Sequence, residues 1–296
     1  MSKLAWVVGE ALIDLIQDVS GIQIPKVGGG PANTSRAIAR LGYETSFIGG
    51  LSSDSYGQLI EEELKSSGVD LSLAYRGNEL TALAIATLDG SGAAKYEFEL
   101  DGTASFAFHE SWLPQGEADV IHIGSVATML EPGASELWKW ATTKKAPIVF
   151  DPNVRPSIES DRDRYRASVE RWIDISAVVK LSEDDLDWLY GNESVVHSWL
   201  ERGVSIVVVT RAEKGMTAIG AGFSVDVPAD PVTVVDTVGA GDTIGAVLVE
   251  GLLEYGLSGL NGGNLSTVLE RAARAAAITC SRAGANPPWK AELDRN

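Results

Sequence analysis

Six short runs, "LAWVVG" (4–9), "TSFIGG" (45–50), "DVIHIG" (119–124), "APIVFD" (146–151), "SAVVKL" (176–181) and "SIVVVT" (205–210), are apolar at nearly every position. A strand with one face in water alternates apolar and polar residues. Unbroken runs of this length therefore belong to strands covered on both faces, as in a largely parallel sheet between helices. Segments of helical spacing separate them: "PANTSRAIARLG" with Pro31 at its start, "DSYGQLIEEELKSSG", "SELWKWATTKK", "DRYRASVERWIDI" and "SEDDLDWLYG" with Ser182 as N-cap. The alternation predicts an α/β layered fold with right-handed crossovers.

Two stretches break this rhythm. "IQDVSGIQIPKV" (16–27) comes after the first strand, and residues 81–108 read as strands joined by the hairpin signal "LDGSGAA". Together they are expected to form a small antiparallel flap. No repeat, low-complexity tract or Pro/Gly/Ser-rich linker divides the chain, so 1–296 is expected to be one domain, with flap strands from about 12–27 and 80–110.

Composition removes several functions. Twenty-four basic against 41 acidic residues leave a formal charge of −17, which repels polyanions, and no local basic stripe offsets it for nucleic acid. An anionic ligand must then be held by backbone N–H groups, a few Arg or Lys, and metal ions. The single cysteine, Cys280, has no disulfide partner, and His109, His122 and His197 lie far apart without metal-ligand spacing. Glu10 and Asp14 interrupt the apolar N-terminus, which therefore reads as a buried strand rather than a signal peptide. No apolar run approaches a membrane span, and a cytoplasmic protein is expected.

Two glycine-rich segments carry the chemistry. In "VVDTVGAGDTIGAVL" (234–248), β-branched Thr233, Val234 and Val235 look like a strand end, Gly239-Ala240-Gly241 like a close turn, and the residues after that turn like a helix. Free N–H groups there would form an anion site with Asp242 beside it as a candidate base. A packing turn with Asp242 as an N-terminal cap reads equally well from this stretch alone. A dinucleotide fingerprint fits worse, because the spacing Gly239-x-Gly241-x-x-x-Gly245 is one residue off. "KVGGGPANTSRAIARLG" (26–42) sets three glycines before a helix whose first turn offers Asn33, Thr34 and Ser35, either a ligand cradle or a tight turn. A Walker-type loop is absent from the sequence. "DPNVRP" (151–156), "KLSEDD" (180–185) and "TRAEKG" (210–215) each stand directly after a predicted strand. Arg155 and Lys180 are thereby available to phosphate oxygens, and Asp185 to a water-bridged Mg²⁺.

These pieces together resemble the ribokinase-like carbohydrate kinases, the PfkB family, over nearly the whole chain. The likeness rests on "VGGGPANTSRAIARLG" and "DTVGAGDTIGAVLVEGL" in their order and separation. It implies a three-layer α/β/α fold with a mostly parallel central sheet and a small β-sheet lid, and ATP-dependent phosphorylation of a sugar. By position Asp242 resembles the catalytic base and Gly239, Ala240 and Gly241 the anion hole. Asp14, Gly29, Gly30 and Asn33 resemble the sugar site, joined by Ser125 and Arg155 from segments similar to the fructokinase branch. Thr210, Arg211 and Gly215 resemble the ATP-phosphate loop, although Ala212 replaces its middle glycine. Lys180, Ser182, Gly241 and Ala273 complete the ATP side. The family's N-x-x-E becomes Ser182-x-x-Asp185, and Asp236, Val238, Thr279, Arg282 and Gly284 match its K⁺ loop. Cys280 is expected to be a small core residue. D-fructose is the favoured acceptor, ahead of 2-keto-3-deoxygluconate, then ribose or a nucleoside, with a non-catalytic sugar or nucleotide binder as the competing class. A homodimer through the lid is the expected assembly.

Overall fold

The computed structural model describes residues 3–17, 23–88 and 94–295. In chain order the first half contains β1 (Leu4–Val8), β2 (Leu12–Gln17), β3 (Gln23–Gly28), α1 (Gly30–Arg40), β4 (Glu44–Ile48), β5 (Gly50–Ser52), α2 (Ser55–Ser66), β6 (Tyr75–Gly77), β7 (Leu83–Leu88), β8 (Ala94–Glu99) and β9 (Val120–Gly124). The second half contains α3 (Gly133–Ala141), β10 (Ile148–Asp151), α4 (Arg162–Ile173), β11 (Val178–Ser182), α5 (Glu183–Tyr190), α6 (Val195–Glu201), β12 (Ile206–Thr210), β13 (Met216–Gly220), β14 (Phe223–Val227), α7 (Ala240–Gly259, interrupted at Gly256), α8 (Gly262–Cys280) and α9 (Lys290–Leu293).

The six apolar runs become six mutually parallel strands of an eight-stranded sheet, ordered β14-β13-β12-β11-β10-β9-β1-β4, whose last two strands in sequence add antiparallel at one edge. Alternate residues of each run serve opposite cores. Trp6, Val8, Ile121, Phe150 and Val207 pack beneath α3 to α6 with Trp140, Trp172 and Trp199, whereas Ala5, Val7, Val149 and Val208 meet α1, α7 and α8. Burial on both faces is what the unbroken apolar runs required, and each fully buried Leu or Phe contributes about 1.5–3 kcal/mol.

The smaller sheet departs from expectation. Its order is β3-β2-β7-β8, with antiparallel outer pairs but a parallel central pair, Ile13 to Ile16 of β2 against Leu83 to Ala86 of β7. The flap is therefore mixed, because its central strands β2 and β7 run parallel while each pairs antiparallel with its own outer strand. The hairpin turn read at "LDGSGAA" and the bend after Gln17 fall on 89–93 and 18–22, outside the described residues. A second correction concerns Thr233 to Val235, which form no strand. Val234 and Val235 are 58% and 62% exposed, and the N–H groups of Val235 and Asp236 both donate to the Cys280 carbonyl at the end of α8. Strand propensity loses there to an anchor on the last turn of a helix.

Candidate active site

The carboxyl ends of β1, β9, β10, β11 and β12 open toward the N-termini of α1 and α7, the place where open α/β sheets hold ligands. Helix α7 begins behind Gly239, whose left-handed backbone (φ 79°, ψ 0°) suits glycine alone among common residues. Among the described residues, the N–H groups of Gly241 and Asp242 have no acceptor, while that of Ala240 reaches Thr237 at 3.3 Å. The free N–H groups and the helix dipole can hold an anion, although any helix N-terminus leaves such groups free.

Asp242 is held from the opposite end of the sequence. Asn33 Nδ2 donates to its Oδ2 at 2.9 Å and Thr34 Oγ1 to its carbonyl at 3.4 Å. Asn33 thus serves the carboxylate, and its own Oδ1 is buried without a partner among the described residues. Gly30 lets these groups converge. A Cβ there would lie 2.8 Å from Asn153 Nδ2 and 3.2 Å from Asp242 Oδ1. Burial raises the Asp242 pKa to about 6, against the Asn33 hydrogen bond and the Lys180 charge, which pull it down. A base poised there is largely ionised at neutral pH and basic enough to take a hydroxyl proton.

Lys180 sits beneath the anion site. Its Nζ would be 2.9 Å from a Cβ on Gly241, and it pairs with Asp151 at 2.7 Å. Burial pushes its pKa down, but the charge and hydrogen bond of Asp151 together with the Asp242 and Asp185 charges more than offset this and leave it raised. A fixed cation inside a strongly acidic protein therefore faces the helix N-terminus.

Asp14 on β2 lies with its carboxylate against Gly28, while Gly29 precedes α1. Burial lifts Asp14 to about 6, opposed by the Arg155 charge. Ser125 ends β9 in a strained conformation (φ 62°), its Oγ accepting from Asn153 Nδ2 at 3.4 Å. Arg155 is exposed and donates to the carbonyls of Asn153 and Val154.

A cavity of about 940 Å³ runs from Asn153 and Arg155 past Lys180, Ser182, Asp185 and Gly241 to Thr210, Arg211, Gly215 and Ala273. That is ample for a nucleotide. Ala212, where the resemblance expects glycine, adopts φ 46°, so the loop keeps a glycine-like bend at a cost of about 1–2 kcal/mol. The Arg211 guanidinium is turned aside to Glu183, Glu193 (2.6 Å) and Thr217, leaving its backbone to line the cavity. Ser182 and Asp185 form a reciprocal capping box on α5, and the second Asp185 oxygen accepts from Val154 N at 3.1 Å. Burial raises the Asp185 pKa. No cluster of three His, Cys, Asp or Glu is grouped as a metal centre among the described residues. Asp185 and the cavity's other oxygens nonetheless suit a hard divalent cation reached through water.

Behind the anion site, Asp236 accepts from Val238 N at 3.0 Å and Gly284 N at 2.8 Å. Thr279 is buried, its hydroxyl on Thr243, and the Arg282 guanidinium pairs with Glu292 at 2.7 Å. Side chains of both are thus committed, and only their carbonyls remain to offer a cation. Cys280 corrects the core expectation, for it is half-buried in the cavity wall.

Asn153, Asp151 and His122 are site residues that the sequence alone did not single out. Asn153 had a signal, a residue tolerant of positive φ (42°) two positions after a strand and following a proline. His122 is buried with both ring nitrogens unpaired, and burial lowers its pKa to about 4; an apolar run hides such a residue.

The model of the pfkB family of carbohydrate kinases matches residues 2–292. This chain belongs to that family. The kinase is 34% identical to a fructokinase of Rhizobium leguminosarum bv. trifolii over 82% of this chain and 78% of that protein. Fructokinase from Xylella fastidiosa, solved with bound ATP, superposes with a TM-score of 0.89 at 25% identity over 99% and 98% of the two chains. The Vibrio cholerae O395 fructokinase, solved with fructose, ADP and calcium ion, gives 0.86 at 26% identity over 98% and 97%. The α/β fold with its small second sheet and the class of ATP-dependent sugar kinase come with this membership. No helix among the described residues is long and apolar enough to cross a membrane.

Proposed function

We propose that this kinase transfers the γ-phosphate of ATP to the primary 6-hydroxyl of D-fructose. The observation that carries the reading is the 2.9 Å bond between Asn33 and Asp242, which seats the base of α7 on the sugar-side helix α1. The relatives named as fructokinases support the sugar.

The sugar binds through Asp14, the backbone at Gly29 and Gly30, Asn33 and Ser125. ATP lies along Thr210 to Gly215, with Ala273 beside its base and Ser182 and Lys180 on the phosphate side. Asp242 takes the hydroxyl proton as that oxygen attacks the γ-phosphorus in line, while the bond from the γ-phosphorus to the β,γ-bridging oxygen breaks and ADP leaves with that electron pair. The N–H groups of the Gly239 to Asp242 turn, Lys180 and Arg155 spread the developing charge. Asp185 would hold Mg²⁺, which would supply neutralisation of the phosphate oxygens. K⁺ fits Asp236 and the carbonyls of Val238, Thr279, Arg282 and Gly284. The small sheet acts as a lid that excludes water, which otherwise competes as acceptor. Exposed Ile24 (41%) and Leu80 (70%) on and beside that sheet suit a lid-to-lid homodimer of a single-domain, cytoplasmic protein.

One observation favours a second acceptor. Arg155 forms no ion pair among the described residues and lies near Asp14, where it would match the carboxylate of 2-keto-3-deoxygluconate. ADP release with fructose, ribose, 2-keto-3-deoxygluconate, tagatose and adenosine, each with MgATP and with K⁺ present or absent, decides it. The highest kcat/KM is expected for fructose. Turnover confined to the sugar acid would overturn the fructose assignment and leave the base standing.

A further inference from the structure

Helix α1 grips the phosphate side at more than its first turn. Residues 33, 36 and 40 succeed one another at helical spacing and form one stripe. Asn33 holds the Asp242 carboxylate at the head of that stripe. One turn on, Arg36 Nη1 donates to the Ala285 carbonyl at 3.0 Å, while its Nη2 pairs with Glu63 of α2 at 2.6 Å. After another turn, Arg40 Nη1 donates to Asn286 Oδ1 and the Pro287 carbonyl, each at 2.7 Å. Ala285 in turn presses on the opening of α7, for a Cβ on Gly239 would fall 2.6 Å from the Ala285 Cβ. Gly284 beside it is tied to Asp236 at 2.8 Å.

Arg36 is only 3% exposed, and burial lowers its pKa. A guanidinium in such a place is costly, and an apolar side chain of similar volume would fill the space without desolvating a charge. What Arg36 adds is a fixed separation between α1 and the 284–287 segment. We propose that Arg36 is a positioning residue for the anion hole. Acting through Ala285, it sets the Gly239 to Asp242 turn from behind while Asn33 sets it from the front, so that the sugar-side helix and the phosphate site are held as one body. This rests on the reading of that turn as the γ-phosphate site.

Two variants separate positioning from plain support. Arg36→Met and Glu63→Gln both break the ion pair and both lower the thermal midpoint, but only Arg36→Met releases Ala285. Displaced oxyanion donors and small misplacements typically cost about 10- to 1,000-fold in rate. Fructose-dependent ADP release should therefore show kcat about 10- to 100-fold lower in Arg36→Met, with KM for fructose within about threefold of wild type and kcat of Glu63→Gln within about threefold. If Arg36→Met does not fold, Ala285→Gly removes the methyl lying on Gly239 with the ion pair intact, and kcat should fall while KM for fructose holds. Equal losses of kcat in Arg36→Met and Glu63→Gln, or a folded Arg36→Met or Ala285→Gly with near-normal kcat, would overturn the proposal. A wild type inactive on every sugar of the panel would overturn the phosphoryl-transfer reading and this proposal with it.

Discussion

Asp242 is kept in a state that disfavours its working charge. Its carboxylate ordinarily titrates near 3.8, and burial moves it to about 6 in the folded protein. Between those values the native state binds more protons than the unfolded chain. This group's contribution to stability is therefore full below about pH 4 and is lost as pH rises through 6. A shift of this size corresponds to roughly 1–3 kcal/mol at neutral pH. Asp242→Asn, neutral and of equal shape, should accordingly melt at a higher temperature than wild type at pH 8, with the difference closing toward pH 4. Thermal scans at the two pH values check this, and a variant that melts at or below wild type at pH 8 contradicts it. On the proposed role of Asp242 as base, activity has the opposite dependence, since the base must be ionised, and such conflicts between stability and function are common at active sites.

Among the elements, α5 shows where local sequence is informative and where it stops. Ser182 and Asp185 cap the helix reciprocally, and an N-cap serine contributes about 0.5–2 kcal/mol. Ser182→Ala is thus expected to lower the melting temperature by roughly 2–4 °C per kcal/mol lost while leaving KM for fructose unchanged. Calorimetry with steady-state kinetics checks it, and an unchanged melting temperature would show the cap to be idle. The cap was legible because it depends on residues three apart. The parallel strands were legible for a related reason, since burial on both faces leaves its mark on every residue of a run. The parallel β2 to β7 pairing was not, because alternation within a strand does not say which partner it meets. Thr233 to Val235 misled because their β-branched side chains reflect propensity alone, whereas the deciding contact is with Cys280, some 45 residues on in the sequence. Among the site residues, Asp242 and Asn33 stand in glycine-rich turns that announce a close approach. The diversion of Arg211 to Glu193 and the burial of His122 under α7 depend on tertiary packing, to which local sequence is blind.

At the scale of the molecule, a chain with a formal charge of −17 has local means to meet a polyphosphate on the proposed reading: two unsatisfied N–H groups at a helix N-terminus and one buried lysine paired with Asp151. Field strength inside a dry cleft exceeds that of the distant surface charges, which salt screens within about 8–10 Å. The site exists only because segments 209 residues apart meet at Asn33 and Asp242. Folding of the whole sheet is thus a precondition for the base. Fructose-dependent ADP release by Asp242→Asn beside wild type tests that base most directly. A positioned base is worth about 10² to 10⁴ in rate, so turnover should fall at least a hundredfold with KM for ATP roughly unchanged. Turnover of the folded variant within a few-fold of wild type would contradict the assignment of Asp242 as the group that takes the sugar's proton.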